Sequence, residues 1–438
     1  MPSSCRPVAT LSRRRALQSL AALATIQIVP RHVIGQGQTP PSEELTKAVV
    51  GCGGMSAAHL FNYPGKLLAV CDVDKQHLEG RLAECRARGW NDVKPYHDFR
   101  EVLARPDIDI VHIVTPPHWH ALISIAAAKA GKDIWCEKPM TRTLGEGLRV
   151  IEAVQQRQRI FRVNTWFRFD ERYYSVMKPS GQIRKAVAAG LFGWPVKFHI
   201  GNNLVGGGWK LKRWAGLTDL KPEPVPPELD YDFWLGPAPV KPYHPHRVHG
   251  SFRGYWDYDG GGLGDMGQHF LDPAQYILGK DDTGPVEIEV DTDKQHPDAV
   301  LPWRKLVLRY ADGCEIHCWG ETAEPADLPV IEGPEGKLFP EWRSDVPGFK
   351  AKVDALPDPD PGITDFHKAV RERKKFVLNE MNAHRSCSLI NLAKTALQLG
   401  ANLKFDPQKQ VFVGENAEPA NRFIHQPMRP QYSYETMT

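Results

Sequence analysis

Between residues 47 and 157 short apolar runs alternate with helix-length segments, and the first run breaks into Gly51-Cys52-Gly53-Gly54-Met55-Ser56. Few folds accept that order. Apolar runs at 47–50, 67–71, 108–114 and 133–136, each followed by a helical stretch, predict a parallel, doubly wound sheet. Near Asn164 the pattern loosens and aromatics accumulate. Strands are predicted at 197–201, 286–290, 305–310 and 315–320, and helices at 364–373 and 383–399. The stretch 222–245 is rich in proline and reads as largely non-helical loop. A chain of 438 residues exceeds one simple core. The expectation is an α/β protein: a leader at 1–40, a nucleotide fold at 41–163, and at 164–438 an α+β domain on an open, mainly antiparallel sheet.

A glycine-rich first βα turn lets the backbone approach a pyrophosphate, whose charge the following helix N-terminus favours. Gly51 and Gly53 fill the first two positions of a G-x-G-x-x-G pattern, and Ser56 stands at the third. Gly51, Gly53, Gly54 and Met55 are therefore the expected cofactor-binding turn. Asp72 ends the next apolar run about 20 residues on, placed to accept from ribose hydroxyls. A carboxylate there repels a 2′-phosphate, so NAD is favoured over NADP. Thr115 and Pro116 close a further strand at the carboxyl edge of the sheet, where open α/β folds bind ligands.

Two later clusters carry chemistry. Glu137-Lys138-Pro139 sets an amine beside this dinucleotide site, and Asp265 and His269 lie four residues apart behind the glycine run 260–264. In a helix, four residues put both side chains on one face. Oxidising a secondary alcohol needs a proton acceptor and a hydride acceptor. His269 suits the first, with an unperturbed pKa near neutrality. Lys138 can stabilise the developing alkoxide, and Asp265 can orient the imidazole or bind a hydroxyl. His244, His246 and His249 crowd a proline loop that gives them no fixed geometry, so no metal is assigned. The glycine run permits close backbone approach or serves as a linker, and 209–214 reads as a substrate platform or a partner-facing arm.

The runs Val114-Thr115-Pro116-Pro117-His118-Trp119-His120-Ala121 and 130–140, with Asp265-Met266-Gly267-Gln268-His269-Phe270-Leu271-Asp272, resemble the glucose–fructose oxidoreductase/inositol dehydrogenase (Gfo/Idh/MocA) family. The resemblance spans about residues 46–430. It implies a Rossmann domain followed by a sheet domain, a sugar or cyclitol substrate and a homo-oligomer. It assigns catalytic roles to Lys138, Asp265 and His269, and it adds His120 and Glu137 to the cofactor site. It also places Arg168 near the substrate, with Trp166 beside it.

Ser12-Arg13-Arg14-Arg15-Ala16-Leu17-Gln18 before the apolar run 20–30 resembles a twin-arginine export signal. It departs from the usual pattern at Ala16 and Gln18. The expected location is periplasmic, with membrane attachment only through an uncleaved signal. A net charge of +3 supplies no nucleic-acid footprint. The eight cysteines form neither a metal spacing nor a disulfide framework, as expected for a chain folded before export. Beyond the cytoplasm NAD is not replenished, so tightly bound NAD in a redox-neutral cycle is expected. The main reading is hydride transfer between a sugar alcohol and that NAD. The alternatives are an NAD-dependent glycosidase or lyase, and an inactive sugar-binding member.

Overall fold

A computed structural model describes residues 44–165, 168, 176–205 and 208–438. The arginine-rich leader and Trp166 lie outside the described residues.

The first sheet contains β1 (Thr46–Val50), β2 (Lys66–Cys71), β3 (Lys94–Tyr96), β4 (Ile110–Ile113), β5 (Asp133–Glu137) and β6 (Phe161–Asn164). Its order is β3-β2-β1-β4-β5-β6, and every pairing is parallel. Every residue of β4 and β5 is buried, as continuous apolar strands covered on both faces must be. The strand order reverses between β1 and β4, which opens a crevice at their carboxyl ends.

The second sheet contains β7 (Lys197–Ile200), β8 (Glu287–Thr292), β9 (Trp303–Arg309), β10 (Glu315–Trp319), β11 (Ile331–Gly333), β12 (Gly336–Phe339), β13 (Arg343–Ser344), β14 (Leu403–Asp406) and β15 (Val411–Val413). Its order is β13-β12-β11-β7-β10-β9-β8-β14-β15. Only β7 and β10 pair in parallel, so the expected open, mainly antiparallel sheet is present. Helices Ser180–Ala188, Gly261–Ile277 and Glu380–Leu399 share one hydrophobic core with its strands.

The proline-rich stretch is largely non-helical, as expected, around one short helix, Tyr231–Leu235, which starts where the Asp230 carboxylate accepts from Phe233 N at 3.0 Å. Phe233 then packs on Trp119 and Phe99. The end of the chain also returns to the first core, where Phe366, Phe376, Leu378, Ala383 and Met437 join Trp119 and Trp135. Cys52, Cys71 and Cys136 are free and buried, small apolar fillers of the first sheet.

Candidate active site

β5 ends on Glu137, and buried polar groups hold that end. Glu137 Oε1 accepts from Asn164 Nδ2 at 2.7 Å and meets His59 Nε2 at 2.8 Å, while Oε2 accepts from the Lys138 backbone N–H at 3.1 Å. His59 Nδ1 in turn lies 2.9 Å from His112 Nδ1. Burial raises the Glu137 pKa, but the His59 bond and the neighbouring charges outweigh it and hold the carboxyl at about 2. A fixed anion thus sets where Lys138 leaves the sheet. The Lys138–Pro139 bond is cis. Gln268 Oε1 accepts from Met140 N at 2.8 Å, tying this turn to the helix Gly261–Ile277.

That helix carries Asp265 and His269 one turn apart, so the glycine run is its first turn and not a linker. A Cβ on Gly262 would lie 1.9 Å from Trp209 O, and one on Gly264 1.9 Å from Asp259 Oδ1; the helix packs too closely there for a side chain. Lys138 Nζ donates to Asp265 Oδ1 at 3.0 Å and to its backbone carbonyl at 2.7 Å. Arg253 Nε donates to the same Oδ1 at 2.8 Å. Burial opposes ionisation of Asp265, but these two cations win and hold its carboxyl well below the usual carboxylate range. His269 Nδ1 lies 3.0 Å from Thr165 Oγ1. Burial, then the Lys138 charge, lowers the His269 pKa to about 3. The imidazole therefore stands neutral at neutral pH, able to accept a proton.

Lys138, Asp265 and His269 line one cleft of about 590 Å³, which runs on to Gly51, Gly53 and Asp72. At the dinucleotide end Gly51 adopts φ +100°, and a Cβ on it would lie 2.6 Å from Val114 C. Only glycine fits where β1 and β4 come this close. Gly53 and Gly54 face open space, which leaves room for a pyrophosphate. Asp72 is half-buried; its Oδ2 accepts from Cys52 N at 2.6 Å and its Oδ1 from Asp74 N at 2.8 Å, bracing the turn while it lines the cleft. Met55, Thr115 and Pro116 complete that wall. The following helix, Ser56–Phe61, is six residues long. Arg81, which no sequence signal marks, donates to Ser56 Oγ at 2.8 Å and Gly53 O at 3.0 Å. The turn fits a dinucleotide: it leaves space for the phosphates and sets a carboxylate where ribose hydroxyls would lie.

Two expected site residues sit elsewhere. His120 is fully buried; Nδ1 contacts Pro139 O at 2.7 Å and Nε2 contacts Thr115 O at 2.8 Å, so it clamps two loops instead of facing the cofactor. Arg168 is buried in bidentate bonds of 2.7–2.8 Å to Asp272 and Asp281, away from the cleft. A guanidinium so matched has no fork left for a substrate. Trp209 is buried in the core of the second sheet, so of the two tryptophans in that segment it is Trp214 that lines the cleft, together with Lys210 and Arg213. On metals, Asp74, His77 and His249 bring ligand atoms within 4.8 Å of one another. Asp74 Oδ1 is already bound to Gln76 N and His77 N at a helix N-terminus, whose positive end disfavours a cation. Sequence reasoning missed Asp259, buried in the cleft wall with no hydrogen-bond partner for Oδ1 among the described residues.

Residues 45–165 match the NAD-binding Rossmann fold of an oxidoreductase family (GFO_IDH_MocA), and residues 176–434 match that family's C-terminal alpha/beta domain. Levoglucosan dehydrogenase of Pseudarthrobacter phenanthrenivorans is 29% identical over 247 residues, covering 54% of this chain and 52% of that protein. The scyllo-inositol 2-dehydrogenase (NAD(+)) of Bacillus subtilis is 36% identical over 147 residues, 32% of this chain and 42% of that protein. The chain thus spans about half the length of the curated relatives it matches. Among solved structures, the WlbA dehydrogenase from Bordetella pertussis, determined with NADH and UDP-GlcNAcA, superposes with a TM-score of 0.54 at 17% identity, covering 83% of this chain and 99% of that one. At that identity the likeness concerns the fold.

Proposed function

The chain belongs to the Gfo/Idh/MocA oxidoreductase family, and on that premise we propose that it is an exported enzyme moving hydride between a secondary alcohol of a sugar or cyclitol and tightly bound NAD. One observation carries the reading: an ammonium from the first sheet, Lys138, reaches the helix that holds Asp265 and His269, at the inner end of a cleft lined by the glycine turn. Bound there, a nicotinamide supplies the hydride acceptor. Lys138 donates a hydrogen bond to the carbinol oxygen and stabilises it as the C–H bond breaks. His269 takes the hydroxyl proton. Asp265, ionised between Lys138 and Arg253, positions the ammonium and balances its charge.

Export rests on Arg13-Arg14-Arg15 ahead of the apolar run 20–30. Where NAD is not renewed, the cycle must restore it, so a second carbonyl compound takes the hydride back and His269 returns the proton to its oxygen. Denaturing the purified protein and assaying the dinucleotide released tests tight binding. Mixing holo-protein with pairs of free sugars, and separately with aryl glycosides, tests the reaction. Exchange of oxidation state between two free sugars is expected. Aryl release without it would point to cleavage. Lys138→Ala should lower kcat by about 10²–10³, and His269→Ala by about 10²–10⁴, with NAD retained in both. A variant with near-normal turnover would remove its residue from the mechanism. Replacing Arg13 and Arg14 by Lys should hold the protein in the cytoplasm on cell fractionation.

A further inference from the structure

The alcohol-binding end of the cleft holds more positive charge than the reaction requires. Four cations line it, Lys138, Lys210, Arg213 and Arg253, against three carboxyls, Glu137, Asp259 and Asp265. Lys138 and Arg253 are both matched by Asp265. Lys210 and Arg213 have no acidic partner among the described residues. Burial raises the Asp259 carboxyl to about 7, so it supplies at most part of a compensating charge, and Lys394 draws on that charge too.

The backbone presents the unmatched pair together. Trp214 N donates to Lys210 O at 3.0 Å, closing a turn from which Lys210, Arg213 and Trp214 all line the cleft. Lys210 holds that turn at φ +56°, in the left-handed region that a non-glycine residue seldom adopts. The Arg213 and Arg253 guanidinium carbons lie 4.7 and 4.8 Å from the Trp214 ring centroid. Trp214 Nε1 is buried with no acceptor among the described residues. Thus a half-buried lysine, an exposed arginine and an indole N–H gather at one wall, and among the described residues no acceptor meets the indole and no acid meets the two cations.

This wall belongs to the substrate end of the cleft. The same segment packs against the first turn of the helix carrying Asp265 and His269, through Trp209 O on Gly262, and Lys210 is among the charges that depress His269.

We propose that the sugar or cyclitol oxidised here carries a negatively charged substituent, a carboxylate or a phosphate, bound by Lys210 and Arg213 beside Trp214. The inference rests on the alcohol-oxidising reading above and narrows its substrate to an anionic polyol. An anion at this wall gains charge-assisted bonds to two cations that no acid among the described residues holds, while a neutral sugar gains only ordinary hydrogen bonds.

The test is calorimetric titration of NAD-loaded protein at low salt with D-glucuronate, D-glucose 6-phosphate and D-glucose. At least one anion should bind ten-fold or more tightly than glucose, with the advantage shrinking at high salt. Which anion binds tells carboxylate from phosphate. Lys210→Met and Arg213→Met should each erase most of the advantage while retaining NAD. Glucose binding as tightly as both anions would overturn the proposal. So would variants that shed NAD but keep the wild-type ranking, because the cations would then serve the dinucleotide. Absorbance at the NADH band, read on the same mixtures, separates the two claims. Preferential anion binding without reduction would leave this proposal standing and count against alcohol oxidation. Reduction by glucose with no preference for anions would do the reverse.

Discussion

At the scale of single residues, the site is organised by carboxylates with opposed fates. Asp265 and Glu137 are buried, yet each touches cations or donors enough to stay ionised. Asp259 lies in the same cleft wall without such partners, and burial carries it to about 7. The sign follows from linkage. A carboxyl raised from 3.8 to about 7 on folding favours the folded state fully below the lower value, and that contribution drains away as pH climbs to the upper one. Asp259→Asn removes the titration. The variant should gain stability relative to the parent steadily between about pH 4 and 7, then hold a constant margin. Denaturant unfolding across that range checks it, and parallel curves for the two proteins would refute it. Arg168 illustrates the limit of reading residue types. Its charge suggested a substrate contact, but Asp272 and Asp281, over 100 positions later, occupy every face of its fork. Asp272 is the last member of the same motif that holds Asp265 and His269, so part of that motif is structural.

Among the elements, the helix Gly261–Ile277 does the positioning. Its glycines are not loop residues. They let the first turn lie directly on Trp209 O and Asp259, which places Asp265 and His269 against the carboxyl end of β5. Gly262→Ala would set a methyl 1.9 Å from a backbone oxygen. It should cost about 1–3 kcal/mol of stability and lower turnover by shifting Asp265 away from Lys138. Thermal melts with steady-state rates check both effects, and an unchanged melting temperature would mean that the contact relaxes freely. The segment 209–214 behaves likewise. Its tryptophans are alike in sequence, yet one fills the core and the other walls the cleft, a division set by which elements pack around them.

For the whole molecule, the two sheets are not independent bodies in sequence order. Phe366, Phe376, Ala383 and Met437 complete the core of the first sheet, while the helix Glu380–Leu399 also packs on Gly261–Ile277. Unfolding should therefore be one cooperative transition, with calorimetric and van't Hoff enthalpies in agreement. NAD at 100 times its Kd should stabilise it by about 2.7 kcal/mol. Two separate transitions, only one of them moved by NAD, would contradict the shared core. Much of this architecture was legible in the chain itself. The alternation of apolar runs and helices, the turn at Gly51 and the four-residue step from Asp265 to His269 depend on local periodicity and backbone sterics, which a sequence carries directly. The later return to the first core, the clamp made by His120, the pairing of Arg168 and the gathering of Lys210, Arg213 and Trp214 on one wall were not legible. The return to the first core and the pairing of Arg168 join groups a hundred or more residues apart, the His120 clamp and the cleft wall depend on how their loops are packed by the rest of the fold, and that packing decides which charges find a partner and which face the cleft.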